Sequence, residues 1–225
     1  MSDLEFYFDP VCPYCWQTSK WVRQVQRLAG IDVAWRFISL KVVNEPKGYA
    51  GRPHFREVHV EGMRMLRVAA AVREAHGDAA VGALYEVLGE SIWEVDPPEA
   101  GDRAAIRAMH AEGFDIPALV AAAGLDAVFA EAAADESWES VIRDETRQAL
   151  ERAGEDVGTP ILSFDPPDGP AFFGPVISEL PDDADAVGLY ESLRLLAAWD
   201  GFSELKRSVR RQPDVRVFTR LREAS

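Results

Sequence analysis

The sequence predicts an α/β fold in two halves, β-α-β and β-β-α, separated by a large helical insertion. Three observations carry that expectation. Strand, helix and strand patterns follow one another at the start of the chain. A strand, a proline-rich turn, a second strand and a helix follow near its end. Between them, residues 55–153 carry almost only helical signals. The expected parts are 1–52 and 154–225 for the two halves and 53–153 for the insertion.

The first strand is LEFYF at residues 4–8, stopped by Asp9-Pro10. Pro13 suits the first turn of a helix, where its missing N–H would have no partner in any case. Val22, Val25, Leu28 and Ala29 give that helix an apolar stripe, and Gly30 ends it. Residues 31–38, IDVAWRFI, read as the second strand, followed by a polar connection with Pro46, Gly48, Gly51 and Pro53. Inside the insertion, Asp115 with Pro117 marks a helix start and Gly124 a stop. Leu119, Val120, Leu125, Val128 and Phe129 predict a packed helix in the alanine-rich stretch 118–134. Residues 137–153 place Trp138, Val141, Ile142, Ala149 and Leu150 on one face, closed by Gly154.

Strand character returns at 161–164. The turn DPPDGP at 165–170 joins it to AFF at 171–173, a hairpin by its turn residues. Gly174-Pro175 is expected to start a short helix and 187–199 to form a longer one, before a basic, weakly patterned tail at 206–222.

Composition excludes some functions. A net charge of −14 and a pI near 4.7 argue against a nucleic-acid surface, which needs clustered Lys and Arg. No apolar run approaches the roughly 20 residues of a membrane span. With Met1 taken as the start, the acidic N-terminus lacks a secretory signal, so a cytoplasmic protein is expected. Arginine outnumbers lysine 20 to 4, the bias of a GC-rich genome.

The only two cysteines, Cys12 and Cys15, stand three positions apart in VCPYCW. A structural zinc site needs four ligands, and no second pair of metal-ligand spacing accompanies them. A permanent disulfide would close a loop too small to restrict the unfolded chain much. Two bystander thiols are the plainest alternative. A redox pair fits the context best, because Cys12 lies at the mouth of a helix whose first amides lack partners. A thiolate there is stabilised and becomes both a better-populated nucleophile and a better leaving group. Cys12 is then the attacking sulfur and Cys15 the resolving one, with Pro13 stiffening the turn between them.

GTP at 158–160 puts Pro160 just before a strand. Together with the CxxC and the βαβ pattern, this resembles the thioredoxin superfamily, in which a cis-proline faces the cysteine pair. That resemblance implies a cis Thr159–Pro160 bond and a Thr159 backbone that pairs with substrate. The large helical insertion between the two halves resembles that of DsbA-like proteins. FDPVCPYCW (8–16), SLKVVNE (39–45), EGM (61–63), EAHG (74–77), GEDVGTP (154–160), AFFGPV (171–176) and FSELKR (202–207) resemble the actinobacterial mycothiol-dependent nitroreductase group.

The resemblance implies a thioredoxin domain with a helical lid and no bound cofactor. Mycothiol is the implied low-molecular-weight thiol co-substrate, used with a small-molecule or disulfide substrate. A homodimer is a further option. Tyr14 stands where the family has tryptophan, keeping an aromatic wall and adding a hydroxyl. Asn44 matches an asparagine near the family's site, either as a ligand contact or as a loop-capping amide. His59 stands where the family has tyrosine and is expected at the surface. Many thioredoxin relatives carry a buried carboxylate six residues before the first cysteine. Phe6 occupies that place here, so no buried carboxylate relay is expected, leaving Tyr14 or His59 to help with the proton. Two rival functions remain: a kappa-type glutathione-transferase or isomerase, which needs no second cysteine, and a non-catalytic redox sensor.

Overall fold

The computed structural model describes residues 2–50, 54–209 and 211–223. A four-stranded sheet carries the two halves, with β1 (Leu4–Phe8), β2 (Val33–Phe37), β3 (Ile161–Phe164) and β4 (Ala171–Phe173) in the order β2-β1-β3-β4. β1 and β2 run parallel, joined by helix α1 (Pro13–Ala29), while β3 pairs antiparallel with both β1 and β4. Between β2 and β3 come α2 (Leu40–Asn44), α3 (His54–His76), α4 (Asp78–Trp93), α5 (Arg103–Ala111), α6 (Ile116–Ala122) and α7 (Glu139–Ala153). Helix α8 (Asp183–Ala197) and the short α9 (Thr219–Glu223) follow the sheet.

All five residues of β1 are buried, because helices cover both faces of the sheet. Leu4, Phe6 and Phe8 join the main core with residues of α1 and α4. Tyr7 packs instead with Ala149 of α7, Val43 and Ile161. On that second face Glu5 is held by Arg36 and Arg152, each at 3.0 Å. The insertion is tied to the sheet edge through α7. Glu145 accepts the Phe37 amide at 2.8 Å, the Thr146 hydroxyl accepts the Ser39 amide at 3.0 Å, and Arg73 of α3 pairs with Glu145 at 2.7 Å.

Several expectations need correction. Val22 and Val25 are buried, but Leu28 and Ala29 are exposed, and the inward stripe of α1 is set instead by Cys15, Trp16, Trp21 and polar Thr18 and Ser19. The small polar residues are buried with their hydroxyls satisfied, Thr18 donating to the Pro175 carbonyl at 2.9 Å and Ser19 to the Trp16 carbonyl at 2.8 Å. Stretch 118–134 is not one helix. α6 stops at Ala122, Gly124 takes φ 69°, and Ala127–Ala134 is a 3-10 segment with Val128 turned outward. The polar connection contains α2, started by the Ser39 hydroxyl on the Val42 amide; Gly51 and Pro53 lie outside the described residues. Gly174-Pro175 starts no helix; the bond is cis, and the chain stays irregular until Asp182 caps α8. The tail is better anchored than its pattern suggests, with Val215 and Val217 fully buried.

Candidate active site

Beyond β1 the chain turns through Asp9-Pro10-Val11 before α1 begins, and this turn is clamped from three sides. The fully buried Asp9 carboxylate accepts the Val11 amide at 3.0 Å and the Leu40 amide of α2 at 2.7 Å. The Trp93 indole of α4 donates to the Pro10 carbonyl at 2.9 Å. Helix α3 comes so near that a Cβ on Gly62 would stand 2.6 Å from the Asp9 carboxylate and 2.8 Å from Val11. Burial pushes the Asp9 carboxyl up to about 7, against the two amide bonds that favour its ionised form. Phe6 holds the place six residues before Cys12, as expected, but a buried carboxylate lies near the pair all the same: Asp9, three residues before Cys12 and on the turn.

Cys12 is the N-cap residue of α1, and Pro13 opens the helix, as expected. The Cys12 sulfur accepts the Cys15 amide at 3.4 Å and the Thr159 hydroxyl at 3.1 Å. No acidic residue occupies the first turn to oppose a negative charge there. The Cys15 thiol, the Thr159 hydroxyl and the Cys15 amide hold Cys12 below the ordinary thiol value, against burial and the nearby Asp9. Cys15 is fully buried, and burial, followed by the neighbouring Cys12 sulfur, pushes its thiol well above the ordinary value. The hydrogen bond between the two sulfurs thus pushes them apart in acidity, and burial raises Cys15 further. Thr159–Pro160 is a cis bond, and this loop faces the Cys12 sulfur.

Around the pair, Trp16 donates its indole to Glu94 at 2.8 Å, and Glu94 also takes Lys20 at 2.8 Å and the Arg216 amide at 3.1 Å. Tyr14, half-buried, donates its hydroxyl to the Arg211 carbonyl at 3.1 Å, so the tail runs directly past the cysteine motif. Cys12, Pro13, Tyr14, Cys15, Thr159 and Pro160 therefore gather at one place. Asn44 does not reach into that group through its amide nitrogen, which donates to the Leu40 carbonyl of its own helix at 2.8 Å. His59 is buried, contrary to expectation, because Tyr49 closes over it with a 2.9 Å contact to Nδ1. Burial holds its imidazole down to about 4, so it is neutral at pH 7. Among the described residues, no three His, Cys, Asp or Glu side chains gather as a metal site.

Asp9, Tyr49 and Glu94 were missed in the sequence. Asp9-Pro10 carried a signal, but one that reads equally well as a strand end. The other two carry no local pattern at all.

Residues 11–207 match the family described as mycothiol-dependent nitroreductase Rv2466c. The chain belongs to that family. It is a thiol oxidoreductase with a thioredoxin-type, DsbA-like fold. A mycobacterial relative, the uncharacterized protein Rv2286c of Mycobacterium tuberculosis, is 28% identical over 210 residues, covering 92% of this chain and 82% of the relative. The cytosolic disulfide reductase DsbM from Pseudomonas aeruginosa, solved with GSH, is similar in fold, with a TM-score of 0.50 at 17% identity over 84% of this chain and 98% of that one. A second DsbM structure gives a TM-score of 0.49 at 20% identity, covering 85% of this chain and 98% of that one. Family membership supports a thiol as co-substrate.

Proposed function

We propose that the protein runs a dithiol cycle in which Cys12 attacks a disulfide or another small electrophile and Cys15 releases the product. On a disulfide RS–SR′, the Cys12 sulfur forms a bond to one sulfur and R′S⁻ leaves, taking up a proton. Cys15 then attacks the Cys12–S–R bond, RS⁻ leaves, and the enzyme carries a Cys12–Cys15 disulfide. Two equivalents of mycothiol reduce that disulfide and return the dithiol. Nitro compounds enter as substrates through the family description.

The observation that carries this reading is the Cys12 sulfur, held at the helix start by an amide at 3.4 Å and a hydroxyl at 3.1 Å. A sulfur so placed gains as a thiolate what an ordinary buried thiol would lose. The DsbM neighbour solved with GSH supports a small thiol as reductant. The residues proposed to act are Cys12 and Cys15, with Pro13, Tyr14, Thr159 and Pro160 lining the approach and Asn44 and His59 as further candidates for thiol binding. The three-part division at 1–52, 53–153 and 154–225, with the middle part as a lid, belongs to the same proposal. So does a cytoplasmic location, for which the supporting fact is the likeness in fold to the cytosolic reductase DsbM.

Stopped-flow reduction of a mycothiol mixed disulfide tests the cycle. Cys12→Ser should abolish reaction, and Cys15→Ser should stop at a trapped mixed disulfide. Full activity in Cys12→Ser would overturn the reading.

A further inference from the structure

Thr18 lies about one turn beyond Cys15 on α1 and is fully buried. A threonine inside a helix commonly turns its hydroxyl back to the carbonyl four residues before it. Thr18 instead donates across the interface to the Pro175 carbonyl at 2.9 Å. Valine would fill the same space with no polar atom to satisfy, so the hydroxyl is explained by what it holds. The same side of α1 continues with the Trp21 indole on the Ala186 carbonyl at 3.1 Å and the Gln24 amide on the Pro181 carbonyl at 3.0 Å. Side chains three residues apart thus fasten the chain after β4 to the helix, and Thr18 is the one nearest the cysteines in sequence.

The chain that Thr18 holds also carries the loop facing Cys12. The Gly174 amide, next to Pro175, donates to the Pro160 carbonyl at 2.9 Å. This bond lies one residue beyond the Ile161–Phe173 pair, so the β3–β4 ladder runs on into the Thr159–Pro160 loop. On the other side of Thr159, a Cβ at Gly158 would meet the Phe173 ring at 3.4 Å. The Thr159 hydroxyl then reaches the Cys12 sulfur at 3.1 Å, back at the start of α1. Three bonds therefore close a circuit with both ends on one helix: Thr18 to Pro175, Gly174 to Pro160, and Thr159 to Cys12. Thr18, Gly174, Pro160, Thr159 and Cys12 are all buried, so water competes little for these bonds.

We infer that Thr18 is a positioning residue for Cys12: its bond to the Pro175 carbonyl braces the loop that presents the Thr159 hydroxyl to the sulfur. The inference deepens the dithiol cycle proposed above and rests on it for Cys12 as the attacking sulfur. The groups that face the Cys12 sulfur are the Cys15 thiol and amide of α1, the Thr159 hydroxyl and the Asp9 carboxylate of the turn after β1. Of these, the Thr159 hydroxyl is the one carried by the loop that Thr18 braces. Without the brace that loop gains freedom, its bond to the sulfur loosens, and the thiolate loses part of a donor that favours it.

Thr18→Val keeps the side chain's shape and removes the donor. The pH midpoint of Cys12 alkylation by a small haloacetamide should rise by about half a unit to one unit, which is about three- to tenfold less thiolate at a pH below the midpoint. Thr18→Ser keeps the donor and should titrate within about 0.2 unit of wild type. The deciding arm repeats Thr18→Val in a Thr159→Val background. There it should move the midpoint by no more than about 0.2 unit, because the bond it acts through is already gone. Thr18→Ala removes the same hydroxyl and completes the same cycle of variants should the valine not fold. A midpoint equal to wild type in the folded variant, or a shift of equal size with and without the Thr159 hydroxyl, would overturn the inference. Alkylation needs no turnover, so either result leaves the dithiol cycle standing. Mixed-disulfide reduction by Cys12→Ser would instead overturn the cycle.

Discussion

Replacing Thr159 with valine removes a hydroxyl and puts a methyl in its place, leaving the side chain's shape nearly unchanged. In the structure that hydroxyl donates to the Cys12 sulfur at 3.1 Å, and Thr159 is buried beside it. A hydrogen bond to a charged acceptor is worth about 1.5–3 kcal/mol. At 1.36 kcal/mol per pKa unit, its loss should raise the Cys12 value by about one to two units. The Cys15 amide and thiol remain in place, so the thiol should still titrate below an ordinary buried cysteine. The assay is the pH dependence of Cys12 alkylation by a small haloacetamide, which buried Cys15 resists. Thr159→Ser keeps the donor and should titrate within about half a unit of wild type. If a folded Thr159→Val variant titrates with the wild type, the hydroxyl does not hold the thiolate, and the account of Cys12 acidity fails.

Two further outcomes follow from the geometry. Gly89→Ala would drive a methyl to 2.0 Å from Trp16, whose indole is pinned to Glu94, so neither side can yield cheaply. Unfolding by denaturant should show a loss of about 1–3 kcal/mol together with an altered tryptophan emission, and a change below half a kcal/mol would refute the close packing of α4 on the motif. His110, buried against Trp93 at 4.8 Å, is held down to about 4 by burial. Its folded value lies below the ordinary 6.5, so the stability it confers is complete above 6.5 and is lost as pH falls from 6.5 towards 4. The difference in unfolding free energy between wild type and His110→Leu should shrink by about 1.4 kcal/mol per pH unit across that window and be flat above it. A constant difference would show that the imidazole titrates in the folded protein as it does in the unfolded chain.

The amino-acid sequence alone determined the elements whose signals are local. Pro13 after Cys12, Gly30 at φ 70°, Asp115 on the Ala118 amide and the DPPDGP turn act through their own backbone geometry or the nearest few amides, so no distant residue is needed to read them. The cysteine pair and the cis-proline loop were legible for the same reason, the latter through a resemblance carried by short motifs. Tertiary structure decided everything that depends on what covers a residue. Leu28 faces water while Ser19 is buried, and the approaches of α4 to α1 fall at Trp16 and Arg23, short of Leu28. Asp9, read as the end of a strand, becomes a buried carboxyl near 7 because α2 and α3 close over it. Tyr85 of α4 meets Trp16 of α1 edge-on with centroids 5.9 Å apart, and no periodicity within α4 announces that. Burial is set by chain segments brought together from far apart, and burial is what shifts acidity.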